Sequence, residues 1–308
     1  MGRKSNLYTP ETERDKMLNS LKIGKIKGTT TYIDILDPAW TWRRGEVTLV
    51  TGMANEGKSE ILKQICLIKA LEENRKSVFY SPEDFPAEEF YDGMIHTISG
   101  MSTDKDNDNF ISEELYLHCL SLIKDKFIFL HIPPPYNTYE AIIESVKEIM
   151  EVDDIYALII DPHIKVSRSK LSPERDDLNG AYVMDLLCNF TREHNIITFI
   201  VMHQLTPRVN ENGLYPKPSG YQIKQGGSYY DTTDNCLFMW RPEYAKDKLN
   251  PRCIFGSLKI KKQKLTGVPQ DIEISFDRKT NRYCYKDSKE PLYNWDKWLP
   301  GYKKVRTF

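Results

Sequence analysis

Short runs of consecutive apolar residues alternate along the chain with longer segments whose apolar residues recur every three or four positions. A short continuous run predicts a strand that is buried on both faces, and the wider spacing predicts an amphipathic helix. Strands that alternate with helices predict an α/β fold, a mostly parallel sheet flanked by helices. The predicted strands cover residues 46–51, 77–81, 127–131, 156–160 and 196–202, and the predicted helices begin at about residue 58 and cover 88–98, 112–123, 139–150 and 182–190.

The pattern changes at Asn235. From there, four short strand-like segments follow one another without helices between them: "CLFMWR", "IFGSLKIKKQK", "DIEISF" and "RYCYK". Such a series predicts a C-terminal antiparallel extension of the sheet. We therefore divide the chain into a polar N-terminal arm with a short helix near residues 10–21 (1–30), one large domain (31–286) and an aromatic, basic tail (287–308). The tail either packs on the domain or binds a partner.

Composition excludes several classes of protein. The 43 Lys and Arg residues nearly balance the 44 Asp and Glu residues, so any contact with nucleic acid must come from local basic loops. The six cysteines form no C-x-x-C pair and lie mostly in apolar runs, which predicts reduced core residues in a cytoplasmic protein. No apolar stretch approaches 18 residues and the N-terminus has no apolar signal segment, so we expect no membrane span and no export.

Residues 51–60, "TGMANEGKSE", lie between the first predicted strand and the helix after it, and they match G-x-x-x-x-G-K-[ST]. Glycines let backbone N–H groups surround an anion, and the helix N-terminus adds the positive end of its dipole. Lys58 is expected to contact the β- and γ-phosphates, and Ser59 to bind Mg²⁺. A glycine turn that matches by chance is the alternative, which the strand–loop–helix context disfavours. The predicted nucleotide-binding residues are Gly52, Met53, Ala54, Asn55, Glu56, Gly57, Lys58, Ser59 and Glu60.

Three further polar positions follow predicted strands at the edge of the sheet where ligands bind in such folds. Asp161, after "YALII", is a candidate second Mg²⁺ ligand; the alternative is an Asp that caps the next turn, which the upstream P-loop disfavours. Glu83, in "YSPED", is a candidate general base, and the alternative is an acidic surface turn. His203 and Gln204 end the strand "IITFIVM", where they either contact the γ-phosphate or simply close the strand with hydrogen bonds.

Two long polar loops are candidates for contact with the phosphate backbone of a nucleic acid. The first, residues 215–234, mixes glycines and prolines with tyrosines and with Lys217 and Lys224. The second, "HIKVSRSKLSPERDD", follows Asp161 and carries Lys165, Arg168 and Lys170. Basic side chains and free backbone N–H groups suit a phosphate backbone, and a loop of this length without function is uncommon.

A P-loop followed by Glu83, Asp161 and "HQL" resembles the RecA-like P-loop NTPase core of DnaB-type hexameric replicative helicases, with phage primase-helicases and Twinkle as relatives. The resemblance covers residues 23–285. It implies an ATP hydrolase that uses Mg²⁺, moves on single-stranded DNA as a homo-hexameric ring in DNA replication, and meets a primase or another replisome partner. In that family "YSPED" corresponds to the segment of the catalytic base and "HQL" to that of the γ-phosphate sensor, here Gln204.

The resemblance to this family extends to two further segments of the chain. "QIKQGGSYYDTTDNCLFMWR" resembles the DNA-binding loop, with Lys224, Gln225 and Gly227 at DNA-contacting positions. "KKQKLTG" resembles the segment that reaches the ATP of the neighbouring subunit, where the family's arginine finger falls at Lys264. A lysine supplies the charge without the bidentate fork of a guanidinium, so Lys262 and Arg241 stay open as other cations for that role. Edge-strand lysines that prevent aggregation are the alternative for this segment.

Two other functions compete with a ring helicase. A RecA/RadA-like recombination ATPase forms a filament, for which the first thirty residues show no clear apolar strand. A regulatory P-loop switch needs no residues for ATP hydrolysis, and the presence of both Glu83 and Asp161 argues against it. We expect the N-terminal arm to dock on the next subunit of a ring.

Overall fold

The computed structural model describes residues 7–167, 176–224 and 227–301, with only the backbone described at 176–178. No helix within these ranges is both long and apolar enough to cross a bilayer. The helices are α1 (Arg14–Ile23), α2 (Lys58–Glu73), α3 (Ala87–Ser99), α4 (Glu113–Ile123), α5 (Tyr139–Met150), α6 (Asp176–Glu193), α7 (Gly227–Thr232) and α8 (Gln263–Thr266). The strands are β1 (Val47–Gly52), β2 (Lys76–Tyr80), β3 (Phe127–Phe129), β4 (Ile155–Ile160), β5 (Ile197–His203), β6 (Asn235–Trp240), β7 (Arg252–Ile260), β8 (Asp271–Asp277) and β9 (Arg282–Tyr285).

The nine strands form one sheet in the order β3-β2-β4-β5-β1-β6-β7-β8-β9. The first six strands in this order are mutually parallel, which confirms the predicted α/β sheet. The prediction of an antiparallel extension from Asn235 is wrong for β6, because Asn235 pairs with Thr48 in a parallel register and only β7, β8 and β9 are antiparallel. The long loop before β6 contains α7 and returns the chain to the edge of the sheet where β1 begins, so it acts as a crossover.

Each face of the sheet carries its own hydrophobic core. One core lies beneath α2, α3 and α4, and the other lies beneath α5 and α6. Helix α5 shows why the spacing predicted it: Tyr139, Ile142, Ile143 and Val146 are buried, and the Thr138 hydroxyl caps the helix by accepting a hydrogen bond from the N–H of Ala141. All six cysteines are buried and free, as the sequence predicts.

The two ends of the described chain behave differently. Helix α1 buries none of its residues, and the arm exposes several large apolar side chains: Leu7, Met17, Leu21, Ile23 and Ile26. The described part of the tail instead packs on the sheet face that carries α2. Leu292, Tyr293 and Trp295 are buried in that core, and the ammonium of Lys297 pairs with Glu72 of α2.

We expect Trp295→Ala to lower the free energy of unfolding by about 3–5 kcal/mol, as is typical when a large aromatic side chain is removed from a core. Trp295 is 1% exposed and its ring lies 4.8 Å from that of Tyr293. Urea denaturation followed by circular dichroism measures the change. Leu249→Ala is the control, because Leu249 is 72% exposed, and it should change stability little. Equal stability of the two variants would show that the tail does not support the core.

Candidate nucleotide-binding and DNA-binding site

The P-loop connects β1 to α2 as predicted. Gly57 has φ +92°, which favours glycine, and a Cβ atom there would lie 2.4 Å from the hydroxyl of Tyr283. A Cβ atom on Gly52 would lie 2.4 Å from the backbone oxygen of Met239. The buried Glu56 carboxylate accepts hydrogen bonds from the backbone N–H of Met53 at 2.7 Å and of Arg241 at 3.1 Å. These contacts hold the loop in its curved shape and fasten it to the end of β6.

Lys58 lies inside this curve. Its ammonium donates a hydrogen bond of 2.6 Å to the backbone oxygen of Met53, and the side chain is buried. Burial lowers the pKa of Lys58, while the carboxylates of Asp161, Glu56 and Glu83 act in the opposite direction. Because these acidic groups act on the ammonium, the P-loop lysine and the predicted carboxylates belong to one electrostatic site.

Asp161 directly follows β4 and is buried. Burial raises its pKa to about 6, and a hydrogen bond with the Ser59 side chain opposes that shift. A hydroxyl and a carboxylate side by side are hard oxygen ligands of the kind that Mg²⁺ takes. Within the described residues no three His, Cys, Asp or Glu side chains form a metal cluster. The pair formed by Ser59 and Asp161 fits Mg²⁺, which commonly keeps waters and binds phosphate oxygens beside one or two protein ligands.

Glu83 and its neighbour Asp84 differ in their contacts. They lie in a short 3₁₀ turn, Pro82–Asp84, that follows β2. Asp84 accepts hydrogen bonds from Lys63 at 2.7 Å and from Ser81 at 2.6 Å, so it holds the turn against α2. The Glu83 carboxylate is half exposed and lies 3.4 Å from the ammonium of Lys165. Glu83 is thus the carboxylate of this pair that faces the open edge of the sheet.

Gln204 is buried at the end of β5, where its side-chain amide donates to Thr51 Oγ1 at 2.9 Å and to the backbone oxygen of Ser219 at 3.0 Å. Backbone hydrogen bonds continue this connection. Leu205 N donates to the Gln222 oxygen and Lys224 N to the His203 oxygen, both at 2.8 Å. The end of β5 is therefore joined to the first candidate DNA loop by an uninterrupted set of hydrogen bonds.

The predicted DNA-contacting residues fall into three groups. Lys224 is exposed beside the end of β5, and Gly227 begins α7. Lys217, in contrast, forms a partly exposed ion pair with Asp271 at 2.6 Å. Gln225, Arg168 and Lys170 lie outside the described residues.

The candidate trans-acting cations lie at two different places. Lys264 is exposed on α8, which follows β7 at the edge of the sheet opposite the P-loop, and Lys262 lies beside it, 3.8 Å from Glu46. Arg241 is buried beside the P-loop of its own chain. Its guanidinium donates to the backbone oxygens of Lys248 and Asn250, both at 2.8 Å. Arg241 is therefore held within its own chain and does not project toward a neighbour.

A cavity of about 250 Å³ adjoins the P-loop, and half of the residues that line it carry no prediction from the sequence: Cys253, Phe276, Arg278, Asn281 and Tyr283. The antiparallel strands supply Phe276 and Tyr283, the turn after β8 supplies Arg278, and the P-loop supplies Asn55 and Gly57. The Tyr283 hydroxyl donates a hydrogen bond of 3.0 Å to the backbone oxygen of Gly57. These two partners lie 226 positions apart in the chain. No local pattern marks them, and only the register of the extended sheet brings them together.

The model of the DnaB-like helicase C-terminal domain matches residues 28–285, which is most of the chain. The chain belongs to this family. It is the motor domain of an ATP-dependent replicative helicase, and the resemblance carried by the P-loop, Glu83, Asp161 and "HQL" is thereby confirmed. No curated protein matches the sequence.

Solved structures agree with this helicase fold. The ATPase domain of a phage helicase superimposes with a TM-score of 0.74 at 14% identity, covering 92% of this chain and 100% of that one. A DnaB-like replicative helicase, described together with its interactions with primase, superimposes with a TM-score of 0.72 at 14% identity, covering 92% of this chain and 68% of that one. At such identities the superpositions establish the RecA-like fold. The tail beyond residue 285 lies outside the region that the family model matches.

We expect Asp161→Asn to stabilise the nucleotide-free helicase domain at pH 7.5. Because burial raises the pKa of Asp161 from 3.8 to about 6, the folded state binds the proton more tightly than the unfolded chain. Stability from this group is therefore lost as pH rises from about 4 to 6, and the charged carboxylate is unfavourable at pH 7.5. The amide keeps the shape without the charge.

Urea denaturation at pH 7.5 and 4.5 measures this effect, which should shrink at the lower pH. Asp84→Asn is the matched control, because that change removes the partner of Lys63 and should destabilise the domain. Destabilisation by Asp161→Asn at pH 7.5 would contradict the electrostatic assignment.

Proposed function

We propose that this domain couples hydrolysis of Mg²⁺-bound ATP to movement along single-stranded DNA within a ring of identical subunits. The observation that carries the proposal is the set of hydrogen bonds from Thr51 through Gln204 to the loop that presents Lys224. Thr51 precedes the P-loop, so a change at the phosphates acts on the DNA loop through a single buried amide. A purely regulatory nucleotide-binding domain has no need of such a connection.

The P-loop and the adjoining cavity account for nucleotide binding. Backbone N–H groups and Lys58 bind the phosphates, and Ser59 with Asp161 would hold Mg²⁺, which would neutralise charge on the phosphate oxygens. The cavity beside Gly57 offers the Phe276 ring and the Arg278 guanidinium, two groups that stack on a flat base. We assign the nucleoside to this cavity.

Glu83 serves as general base for hydrolysis. It is half exposed at the carboxyl end of β2 and lies in the electrostatic surroundings of Lys58. Water attacks the γ-phosphorus, the bond from that phosphorus to the β,γ-bridging oxygen breaks, and the proton of the water passes to the Glu83 carboxylate. Lys58 stabilises the negative charge that accumulates on the phosphate oxygens. The products are ADP and inorganic phosphate.

Lys264 acts on the nucleotide of a neighbouring subunit. It lies at the opposite edge of the sheet from the P-loop of its own chain. The six residues of β1 alone span about 20 Å, which exceeds the reach of a lysine side chain. A cation on this edge therefore meets a γ-phosphate only when a second copy brings its P-loop there.

The N-terminal arm is the second feature that points to a ring. Helix α1 buries no residue in its own chain and exposes Met17, Leu21 and Ile23. Apolar side chains concentrated on one short helix are stable when another surface covers them, and a second copy supplies that surface in a closed ring.

Since a solved helicase of this fold is described with primase, we also propose a primase-type or other replisome partner. The buried free cysteines support a reducing, cytoplasmic location.

We expect single-stranded DNA to stimulate ATP hydrolysis by the unmodified domain, and Glu83→Gln to slow hydrolysis by about 10²–10⁴-fold, because base catalysis is typically worth that much. Nucleotide binding should persist, since the amide still fits the turn. Phosphate release measures turnover, and a fluorescent ATP analogue measures binding. Lys58→Ala, which removes charge from the phosphates, should weaken binding instead. Normal turnover by Glu83→Gln would refute its role as base.

We expect Lys264→Ala to reduce ATPase activity while nucleotide affinity stays close to normal. Mixing Lys264→Ala with Lys58→Ala protein should restore part of the activity, because a mixed interface combines an intact P-loop with an intact Lys264. Lys264→Arg protein should hydrolyse ATP at a similar or higher rate, since a guanidinium can donate two parallel hydrogen bonds where an ammonium acts as a point charge. Native mass spectrometry with ATP and single-stranded DNA checks assembly, and a filament in place of a closed ring would favour a recombination ATPase. Lack of complementation by assembled variants would transfer the role to Lys262.

A further inference from the structure

Lys165 is the candidate DNA-loop residue that contacts the catalytic machinery directly. It ends the short 3₁₀ turn His163–Lys165, only four residues after Asp161. Its ammonium lies 3.4 Å from Glu83 Oε1, and both side chains are half exposed. The chain continues from Lys165 into the second candidate DNA loop. One side chain thus lies between the proposed general base and a proposed nucleic-acid surface.

Asn137 connects the segments that lead to the two members of this pair. The Asn137 side-chain amide donates to the backbone oxygen of Lys165 and to the hydroxyl of Tyr80, both at 2.7 Å. The backbone oxygen of Asn137 accepts from Ser167 N at 2.9 Å. Tyr80 ends β2 and is followed by the turn that carries Glu83. Because these contacts hold the two segments, a change in the pair takes place in its two half-exposed side chains, of which Lys165 has the longer.

Other cations near Glu83 are less suited to respond to DNA. Lys58 is buried inside the P-loop, and Lys63 is engaged by Asp84 at 2.7 Å. His203 lies close enough for the Glu83 carboxylate to affect its pKa, but burial keeps that pKa low, which favours a neutral ring. Within the described residues, Lys165 is therefore the half-exposed ammonium that both pairs with Glu83 and remains open to a phosphate from solvent.

We propose that Lys165 is a positioning residue that holds Glu83 in an ion pair until single-stranded DNA draws the ammonium away. A DNA phosphate competes with Glu83 for Lys165. Once released, the Glu83 carboxylate takes the proton of the attacking water. This inference rests on the proposed function, because it takes Glu83 as the base and single-stranded DNA as the ligand. It gives the second loop a role in the rate of hydrolysis besides DNA affinity.

The size of the effect follows from the exposure of the pair. Half-exposed ion pairs hold their partners weakly, so release of Glu83 should change turnover by about two- to fivefold. Such a pair is also screened by salt. The basal rate of the unmodified domain should therefore rise with moderate salt toward the rate of a variant that lacks the ammonium.

The experiment compares turnover with and without an oligothymidine strand. Lys165→Ala should raise basal turnover about two- to fivefold at an unchanged KM for ATP, and additional stimulation by the strand should be small. Lys165→Arg should keep both the low basal rate and the stimulation, because it keeps the ion pair. Lys147→Ala is the matched control: Lys147 forms a comparable exposed pair with Glu144 at 3.8 Å on α5, and its loss should change neither rate.

A second background separates positioning from a plain DNA contact. In Glu83→Gln protein, Lys165→Ala should leave the residual basal turnover unchanged, since no carboxylate remains to be released. An unchanged basal rate for Lys165→Ala in the otherwise unmodified domain, with stimulation lost, would reduce Lys165 to a phosphate contact and overturn the proposal. A lowered basal rate would also overturn it. If the unmodified domain neither hydrolyses ATP nor responds to DNA, the proposed function itself fails.

Discussion

The buried carboxylate of Glu56 is the contact on which the geometry of the site depends. It accepts backbone hydrogen bonds from both Met53 and Arg241, and burial raises its pKa. One side chain thereby shapes the P-loop and ties it to the strand that follows the first candidate DNA loop. The guanidinium of Arg241 then reaches the backbone oxygens of Lys248 and Asn250, so the connection extends to the start of β7. Direct hydrogen bonds through Glu56 and Arg241 therefore join the phosphate site to the extension of the sheet.

The direction of the strands divides the domain into two chemically different edges. The carboxyl ends of the parallel strands bring Glu83, Asp161 and Gln204 together, because parallel strands end on the same side. The antiparallel return through β7 carries Lys262 and Lys264 to the other edge. The proposed base therefore lies at one edge of the subunit and the proposed trans-acting cation at the other. With this arrangement, the ring that we propose would bring the two groups together between neighbouring subunits.

The sequence predicted the elements with local patterns and missed those that depend on distant partners. Continuous apolar runs, helical spacing of apolar residues and the P-loop motif are each visible in a short stretch of sequence. The corresponding strands, helices and phosphate loop lie close to where these patterns predict them. The parallel pairing of β6 left no such mark, because α7 is too short to show a helical period inside a long polar loop. The sequence did not predict that Phe276, Tyr283 and Arg241 line the nucleotide site. The reason is the same, because their partners are far away in the chain.

The packing of the tail has a consequence for biosynthesis. Lys297 pairs with Glu72 across 225 positions of the chain, and Trp295 fills a core on the face of α2. During translation, the part of this core that Trp295 fills stays incomplete until nearly the whole domain has left the ribosome. Non-local contacts of this kind delay productive folding and leave apolar surface open to aggregation in the interval.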